Sequence, residues 1–358
     1  GQPLAYRFIV RSPRLNAEGA LLEQRDRIQL AAPVQLTWEA PAPWINAHVL
    51  PRPAEGQTTP AIAATDSVVV TAELRSLTLG RPGLFAPGVF TIDARASAPA
   101  VKLMSADRER MAAEGALFTL TSGATPNTLK FSLTTERQFA QQAGDAAPTS
   151  LTPLRATGVI ANFADAQGDF DAKTATITSS ISGALPTSRV DAATDSNGLL
   201  VDLLGAVTTI DVQTQNLSQA SGALKAKART PNADADIAGD IEDGQFVATS
   251  PGRITLRRIT PKLSARVFET VIPIVTRVEK TEKDQPATVD ATDLTIPVDS
   301  DLSNLNGKIR VDLGTVQFQT SDIFGQLLKV TGNRAQGSLG RSVKPFDFVI
   351  ANGVIAYD

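Results

Sequence analysis

Apolar and polar side chains alternate over long stretches of this chain. Tyr6, Phe8 and Val10 alternate with Arg7 and Arg11, and Leu224, Ala226 and Ala228 alternate with Lys225, Lys227 and Arg229. A period of two sends successive side chains to opposite faces of a strand, here one apolar and one wet. The same alternation recurs over 28–38, 68–79, 127–134, 174–182, 207–215 and 346–350, between segments of Gly, Pro, Asn and Asp. Asn352-Gly353, set between two such runs, predicts a two-residue hairpin, because both central residues of that turn need positive φ.

Helix signals are few. Thr260-Pro261 puts a capping hydroxyl ahead of a proline at the first helical position, and Leu263, Val267, Val271 and Ile274 follow at helical spacing, predicting a helix over 261–275. Ser321 is placed to cap a second helix over 322–330 that Gly332 ends, and 105–115 is its expected counterpart. A further helix is expected over 189–204, with Leu199, Leu200, Leu203 and Leu204 near its end and Asn197-Gly198 as a candidate break. The stretches 50–65 and 279–291 are rich in proline or charge and read as mobile loops.

The chain also repeats itself. At an offset of 218, Pro13, Pro33 and Pro43 fall on Pro231, Pro251 and Pro261, and residues 5–50 share 10 identities with their partners, where about three or four would arise by chance. With small slips, 88–93 aligns with 307–312, and Leu129, Phe131 and Leu133 align with Phe346, Phe348 and Ile350. The expected organisation is a first β repeat over 1–134, a connecting β segment over 135–218 carrying the helix near 189–204, and a second β repeat over 219–358. The start without methionine and the end inside a strand-like pattern lead us to expect a piece of something longer, without signal peptide or membrane-spanning helix of its own.

Composition removes most chemistry. With 34 basic and 37 acidic residues and a net charge of −3, there is no field to gather nucleic acid. The chain has no cysteine and a single histidine, which excludes thiol catalysis and Cys or His-rich metal sites. His48 has no nucleophile or orienting acid suggested near it and reads as a surface residue. The pair Asp234/Asp236 and the group Asp240/Glu242/Asp243 read as a solvated strand face rather than a calcium loop. Phosphate-loop and serine-hydrolase motifs are absent, and Trp38 and Trp44 are expected as core anchors. The reading is therefore non-enzymatic, with no cofactor and no metal.

The run from Ala223 through Arg229 to Thr230-Pro231, then 234–239 and 241–246, resembles the AsmA-like branch of bacterial envelope proteins related to TamB. The segments 198–205, 259–264, 302–313, Pro345 to Phe348 and 352–358 fit the same pattern. The resemblance covers about 198–358 best and reaches 1–134 through the internal repeat. It implies bridge-like lipid-transfer proteins, anchored in a membrane and lying in the periplasm or cell envelope. Their strands stack into a long twisted half-pipe whose apolar inside carries phospholipid between membranes. The partners it implies are phospholipid or another acyl lipid, neighbouring repeats of the parent chain, and a membrane reached through an anchor outside this chain.

The expected fold is accordingly a long twisted antiparallel sheet forming an open half-pipe, a β-taco-like groove, with a few short amphipathic helices. The alternative is a set of stacked β-sandwich modules with a structural or adhesive role, in which the same alternation merely fills cores. On the first reading the groove walls include Tyr6, Phe8, Val10, Leu129, Phe131, Leu133, Leu224, Ala226, Phe346, Phe348 and Ile350. Small inward residues such as Ala leave room for acyl chains, each buried CH₂ gaining about 0.8 kcal/mol.

Overall fold

The computed structural model describes residues 3–48, 62–81, 83–105, 110–141, 147–188, 191, 198–218, 220–260, 263–265, 278–279, 285–297, 302–318 and 339–357. The protein is mainly β, built from open antiparallel sheet with few short helices, an arrangement consistent with a half-pipe groove. The chain divides into two compact units, residues 1–184 with 211–219, and residues 185–210 with 220–358.

The first unit contains β1 (Leu4–Arg11), β2 (Leu15–Glu23), β3 (Arg27–Leu30), β4 (Val34–Ala40), α1 (Ala42–His48), β5 (Ile62–Ala64), β6 (Val68–Gly80) and β7 (Thr91–Ser105). It continues with β8 (Arg110–Ser122), β9 (Thr128–Thr134), β10 (Arg137–Gln141), β11 (Thr149–Leu151), β12 (Arg155–Ala161) and β13 (Thr176–Pro186). Its main run is β1–β2, then β3 and β4 end to end, then β6–β7–β8–β9–β12–β13, all antiparallel. Strands β7 and β8 are long and serve twice, their far halves pairing with β5 and with β10, which pairs β11. The change of partner falls at Pro99 and Gly115, where a prolyl nitrogen cannot donate and Gly115 takes φ 62.

The second unit contains α2 (Leu199–Leu204), β15 (Ser221–Arg229), β16 (Ala233–Glu242), β17 (Gln245–Ala248), β18 (Gly252–Leu256) and β19 (Val278–Glu279), while of β14 (Val207–Leu217) residues 207–210 belong to it and 211–217 to the first unit. It goes on through β20 (Ala287–Pro297), β21 (Asn306–Asp312), β22 (Gly314–Phe318), β23 (Leu339–Val343), β24 (Phe346–Ala351) and β25 (Val354–Tyr357). Here β15–β16 leads to β17 and β18, then β20–β21–β24–β25. A separate sheet joins β19, β22 and β23.

The internal repeat is a repeat of hydrogen-bond register. Phe8 faces Gly19 and Ala226 faces Ile237; Leu15 faces Trp38 and Ala233 faces Leu256; Leu21 faces Leu30 and Gly239 faces Ala248. Each second pair is the first shifted by the offset read from the sequence. At β20 the register slips by one residue, Gly252 facing Ala291 where Val34 faces Leu74. Farther on the units diverge. Leu313 and Gly314, the latter at φ 57, separate β21 from β22 where β7 runs on unbroken. Strand β24 therefore sits beside β21, the place that β8 takes beside β7. The alignment of Leu129, Phe131 and Leu133 with Phe346, Phe348 and Ile350 is thus a match of pattern and not of place, since a period-two pattern fits any half-buried strand.

All eight predicted strand regions are strands, with 28–38 interrupted at 31–33, and the Asn352-Gly353 hairpin forms with φ values of 50 and 72. Of the expected helix over 105–115, Ser105 ends β7 and residues 110–115 open β8, with 106–109 outside the described residues: Met104, Met111 and the Ala-rich run gain more from pairing in the sheet than their helix propensity offers. In the 189–204 segment a helix is described over Leu199–Leu204, and Gly198 at φ 82 marks its start. Asp191 receives the backbone N–H groups of Gly198 and Leu200 there, supplying the acceptor that glycine lacks. Of the helix over 261–275, residues 263–265 are described, and the expected cap is made, Thr260 Oγ1 accepting the N–H of Leu263 at 3.1 Å. The helix over 322–330 lies outside the described residues, as does most of the 50–65 loop. Residues 287–291, expected in a mobile loop, belong to β20 because Val289 and Ala291 face Ile254 and Gly252 in the sheet.

Candidate functional site

Register determines which side chains share a face, because residues directly opposite one another point the same way. In the first unit the path Val10–Ala17–Leu36–Ala72–Ala96–Phe118–Leu133–Ala156–Ile181 crosses the main run from β1 to β13 through registered pairs. A parallel path starts at Tyr6 and passes through Leu21, Leu30, Leu77 and Ile92, while Leu120, Phe131 and Leu129 meet Gly158 and Ile160, with Ile177 beyond. One face of this unit is thus apolar across every strand of its main run.

That face is buried at Ala17 and Ala156 and open at several larger side chains. Tyr6 is 50% exposed, Val10 43%, Phe118 39% and Ile177 39%, values far above those of a sealed core. Phe8, Leu129, Phe131 and Leu133 are intermediate. Cover comes at one corner, where Ala40, Ile45, Ala64 and Val68 are buried together under α1. There Asn46 ties the helix to β5, its side chain bonding the N–H and C=O of Ala64. Trp38 packs against this cluster and meets Trp44 edge-on at 4.5 Å, but Trp44 itself is 39% exposed and stacks on His48. It therefore belongs to the surface rather than the core. His48 is exposed, as expected, with Nδ1 2.9 Å from the carbonyl of Trp44.

The floor of the face is shaped by aromatic rings lying over glycines. A Cβ on Gly19 would come within 2.5 Å of Phe8 Cζ, and one on Gly158 within 2.7 Å of Phe131 Cζ. A ring laid down on the strand opposite does not stand into the space above it, so these residues make the apolar surface shallow. At its margin the Tyr6 phenol hydrogen-bonds the Glu23 carboxylate, which also pairs with Arg81. The hydrogen bond to Glu23, then its negative charge, raises the phenol above its ordinary range. The opposite face is polar: Arg7 and Arg11 share Glu18, Thr119 meets Ser132 at 2.8 Å and Ser179 meets Thr214 at 2.9 Å.

The second unit carries the same kind of face with a different fate. Leu224 and Ala226 lie on it with Ile254, Val289 and Val311, and Phe346, Phe348 and Ile350 continue it. Here α2 lays Leu200, Leu203 and Leu204 onto the sheet, and Leu204, Leu256, Ile259, Val311, Leu313 and Phe348 form a sealed cluster. Phe348 is 7% exposed, so it is a core residue of this unit. Phe346 and Ile350 pack against the same cluster, whereas Leu224 and Ala226 remain half-exposed outside it.

The polar face of the second unit carries a row of alternating charges. Lys227, Asp236, Arg253, Asp290, Arg310 and Asp347 stand directly opposite one another on six successive strands. Arg253 meets Asp290 at 2.5 Å, Lys227 meets Asp236 at 3.4 Å and Arg310 meets Asp347 at 3.6 Å. Asp234 is engaged by Arg257. Of the carboxylates expected on a solvated strand face, Asp234 and Asp236 are there and are paired.

Sequence reasoning brought out Tyr6, Phe8, Val10, Leu129, Phe131 and Leu133, and register places them on one face. It missed Phe118 and Leu120 because the start of β8 reads as a helix; the alternation Leu117-Phe118-Thr119-Leu120-Thr121 was the available signal. Among the described residues no group of three acidic or histidine side chains could hold a metal, and no helix is long and apolar enough to cross a membrane. Neither protein-family models, nor curated proteins, nor solved structures match this chain.

Proposed function

We propose that this chain is a non-enzymatic lipid-binding groove segment of a larger bacterial envelope protein of the AsmA-like, TamB-related kind. It works in the periplasm and helps to move phospholipid between membranes. The observation that carries the proposal is the apolar face of the first unit, continuous through registered pairs from Val10 to Ile181 and left half-open at Tyr6, Val10, Phe118 and Ile177. An uncovered apolar face of that extent costs free energy in water, and acyl chains laid on it recover about 0.8 kcal/mol per CH₂. A chain sliding along such a face meets no specific polar contact to break, which suits conduction better than storage. The wet rim formed by Tyr6, Glu23 and Arg81 is where a solvated headgroup would ride.

The structural-module reading has one observation in its favour, the α2-sealed cluster of the second unit, which leaves little room for lipid around Phe348. The two readings separate on a pair of variants. Phe118→Asp should leave the protein folded and remove phospholipid from organic extracts of the purified chain, whereas Phe348→Asp should unfold the second unit, burying an unpaired charge at a cost of about 3–5 kcal/mol. Extracts of the unaltered protein without phospholipid, or lipid retained by Phe118→Asp, would reject the groove.

A further inference from the structure

A cavity of about 740 Å³ opens in the first unit where β7 and β8 leave the main run to pair with β5 and β10. Its volume is that of a small-molecule site. Met104 and Phe139 give it apolar side chains, and they are joined by charged groups of both signs. The whole chain has two methionines: Met104 rises on this side of the β7–β8 pair, and Met111, registered with Leu103, rises on the other. Thioether side chains are flexible and polarizable, and they mould themselves to alkyl guests of irregular shape. None of the residues proposed as groove walls lines this cavity.

The charged groups are not equivalent. Lys102 is 3.2 Å from Asp66, and Glu114 is 3.1 Å from Arg137. Arg110 makes no ion pair and no side-chain hydrogen bond among the described residues. It stands directly opposite Met104 in the β7–β8 register, so the guanidinium and the thioether rise from the same side of the strand pair. A guanidinium offers a planar fork of donors that fits a carboxylate or a phosphate. An apolar wall with one such fork at its edge describes the complement of a particular kind of guest.

We infer that this cavity binds an amphiphile with a single anionic head, a carboxylate or a phosphate monoester. The head sits on Arg110 and the alkyl tail lies against Met104 and Phe139. The site stands on the cavity alone and does not depend on the groove.

The two methionines make the test direct, because the full chain labelled with methyl-¹³C methionine gives one signal from this cavity, Met104, and one reference from the opposite face, Met111. Dodecanoate and dodecyl phosphate, each below its micelle concentration, are titrated separately, with a neutral dodecyl polyethylene glycol ether as control. The Met104 methyl signal should shift saturably, and more than that of Met111, with at least one anion, and the better one names the head group. The neutral ether should bind at least about tenfold more weakly. Arg110→Gln should lose about tenfold or more in affinity with an unchanged circular dichroism spectrum, and Arg110→Lys should recover part of it. Absence of a saturable shift with either anion, or equal affinity in Arg110→Gln, would overturn the assignment. Phe118→Asp should leave this response intact, so failure of the groove and failure of this site are distinguishable.

Discussion

The two units share a strand order and a register over their first four strands, yet they treat the same apolar face in opposite ways. In the second unit α2 covers it and Phe348 is buried with Leu204 and Val311, while in the first unit Phe118 and Ile177 remain open to solvent. The polar faces differ too, hydroxyl pairs such as Thr119–Ser132 in one and a six-strand row of alternating charges in the other. A common backbone plan therefore does not dictate whether a face becomes core or surface. That is decided by which short segment lies over it.

The sharpest way to break the comparison is to remove the cover. Leu204→Ala should cost about 2–5 kcal/mol and lower hydrogen-exchange protection in β16, β18 and β20, whereas Phe118→Ala should cost less than its size would give in a core, because Phe118 is already 39% exposed. Equal costs would mean that α2 only rests on the sheet. A smaller effect is expected at the registered pair where the units exchange bulk, Phe8 over Gly19 against Ala226 beside Ile237. Gly19→Ile should destabilise the first unit by about 1–3 kcal/mol, and because its Cβ meets both Phe8 and Val34 at 2.5 Å, adding Phe8→Ala together with Val34→Gly, which copies Gly252 of the second unit, should recover most of it in denaturant titrations.

The charge row gives a third test. Arg253→Asp should lower stability modestly and lose its effect in high salt. Exchanging the charges with Asp290→Arg should recover less than half. The exchange sets the new carboxylate beside Asp236 and the new guanidinium beside Arg310, where an isolated pair would be restored in full. The smallest expected effect is on pH. The hydrogen bond from Arg7, then its charge, holds the Glu18 carboxyl below its ordinary range. Its contribution is present at neutral pH and is lost as pH falls through and below that range. Asp293, by hydrogen bond and charge, holds Lys308 above its ordinary range, so that contribution is present at neutral pH and is lost as pH rises through and above it. Exchange in β1 should therefore quicken first in acid, and exchange in β21 first in alkali; Glu18→Gln should abolish the acid response.

Much of this was legible beforehand. The alternation at 6–10 and 224–229, the Asn352-Gly353 turn and the Thr260 cap are local signals, and they formed as local rules require. The repeat offset carried over to the register because Pro13 and Pro231 sit in turns of equal length before β2 and β16, and Pro33 and Pro251 in turns of equal length before β4 and β18. The part that failed was 105–115, where alanine and methionine satisfy a helical pattern as readily as a strand. The charge row was not legible, since Lys227, Asp236, Arg253, Asp290, Arg310 and Asp347 are far apart along the chain and meet only through register.

By itself the amino-acid sequence determined that this protein is strand-rich and duplicated, and which side chains fall on alternate faces, because a period of two and a repeated spacing of turns are properties of the chain alone. Which strand neighbours which, which apolar face is roofed by three leucines of a six-residue helix, and where a guanidinium stands beside a thioether were decided only by the tertiary structure. The reason is physical: burial and charge pairing are set by distances in space between residues that lie tens to hundreds of positions apart.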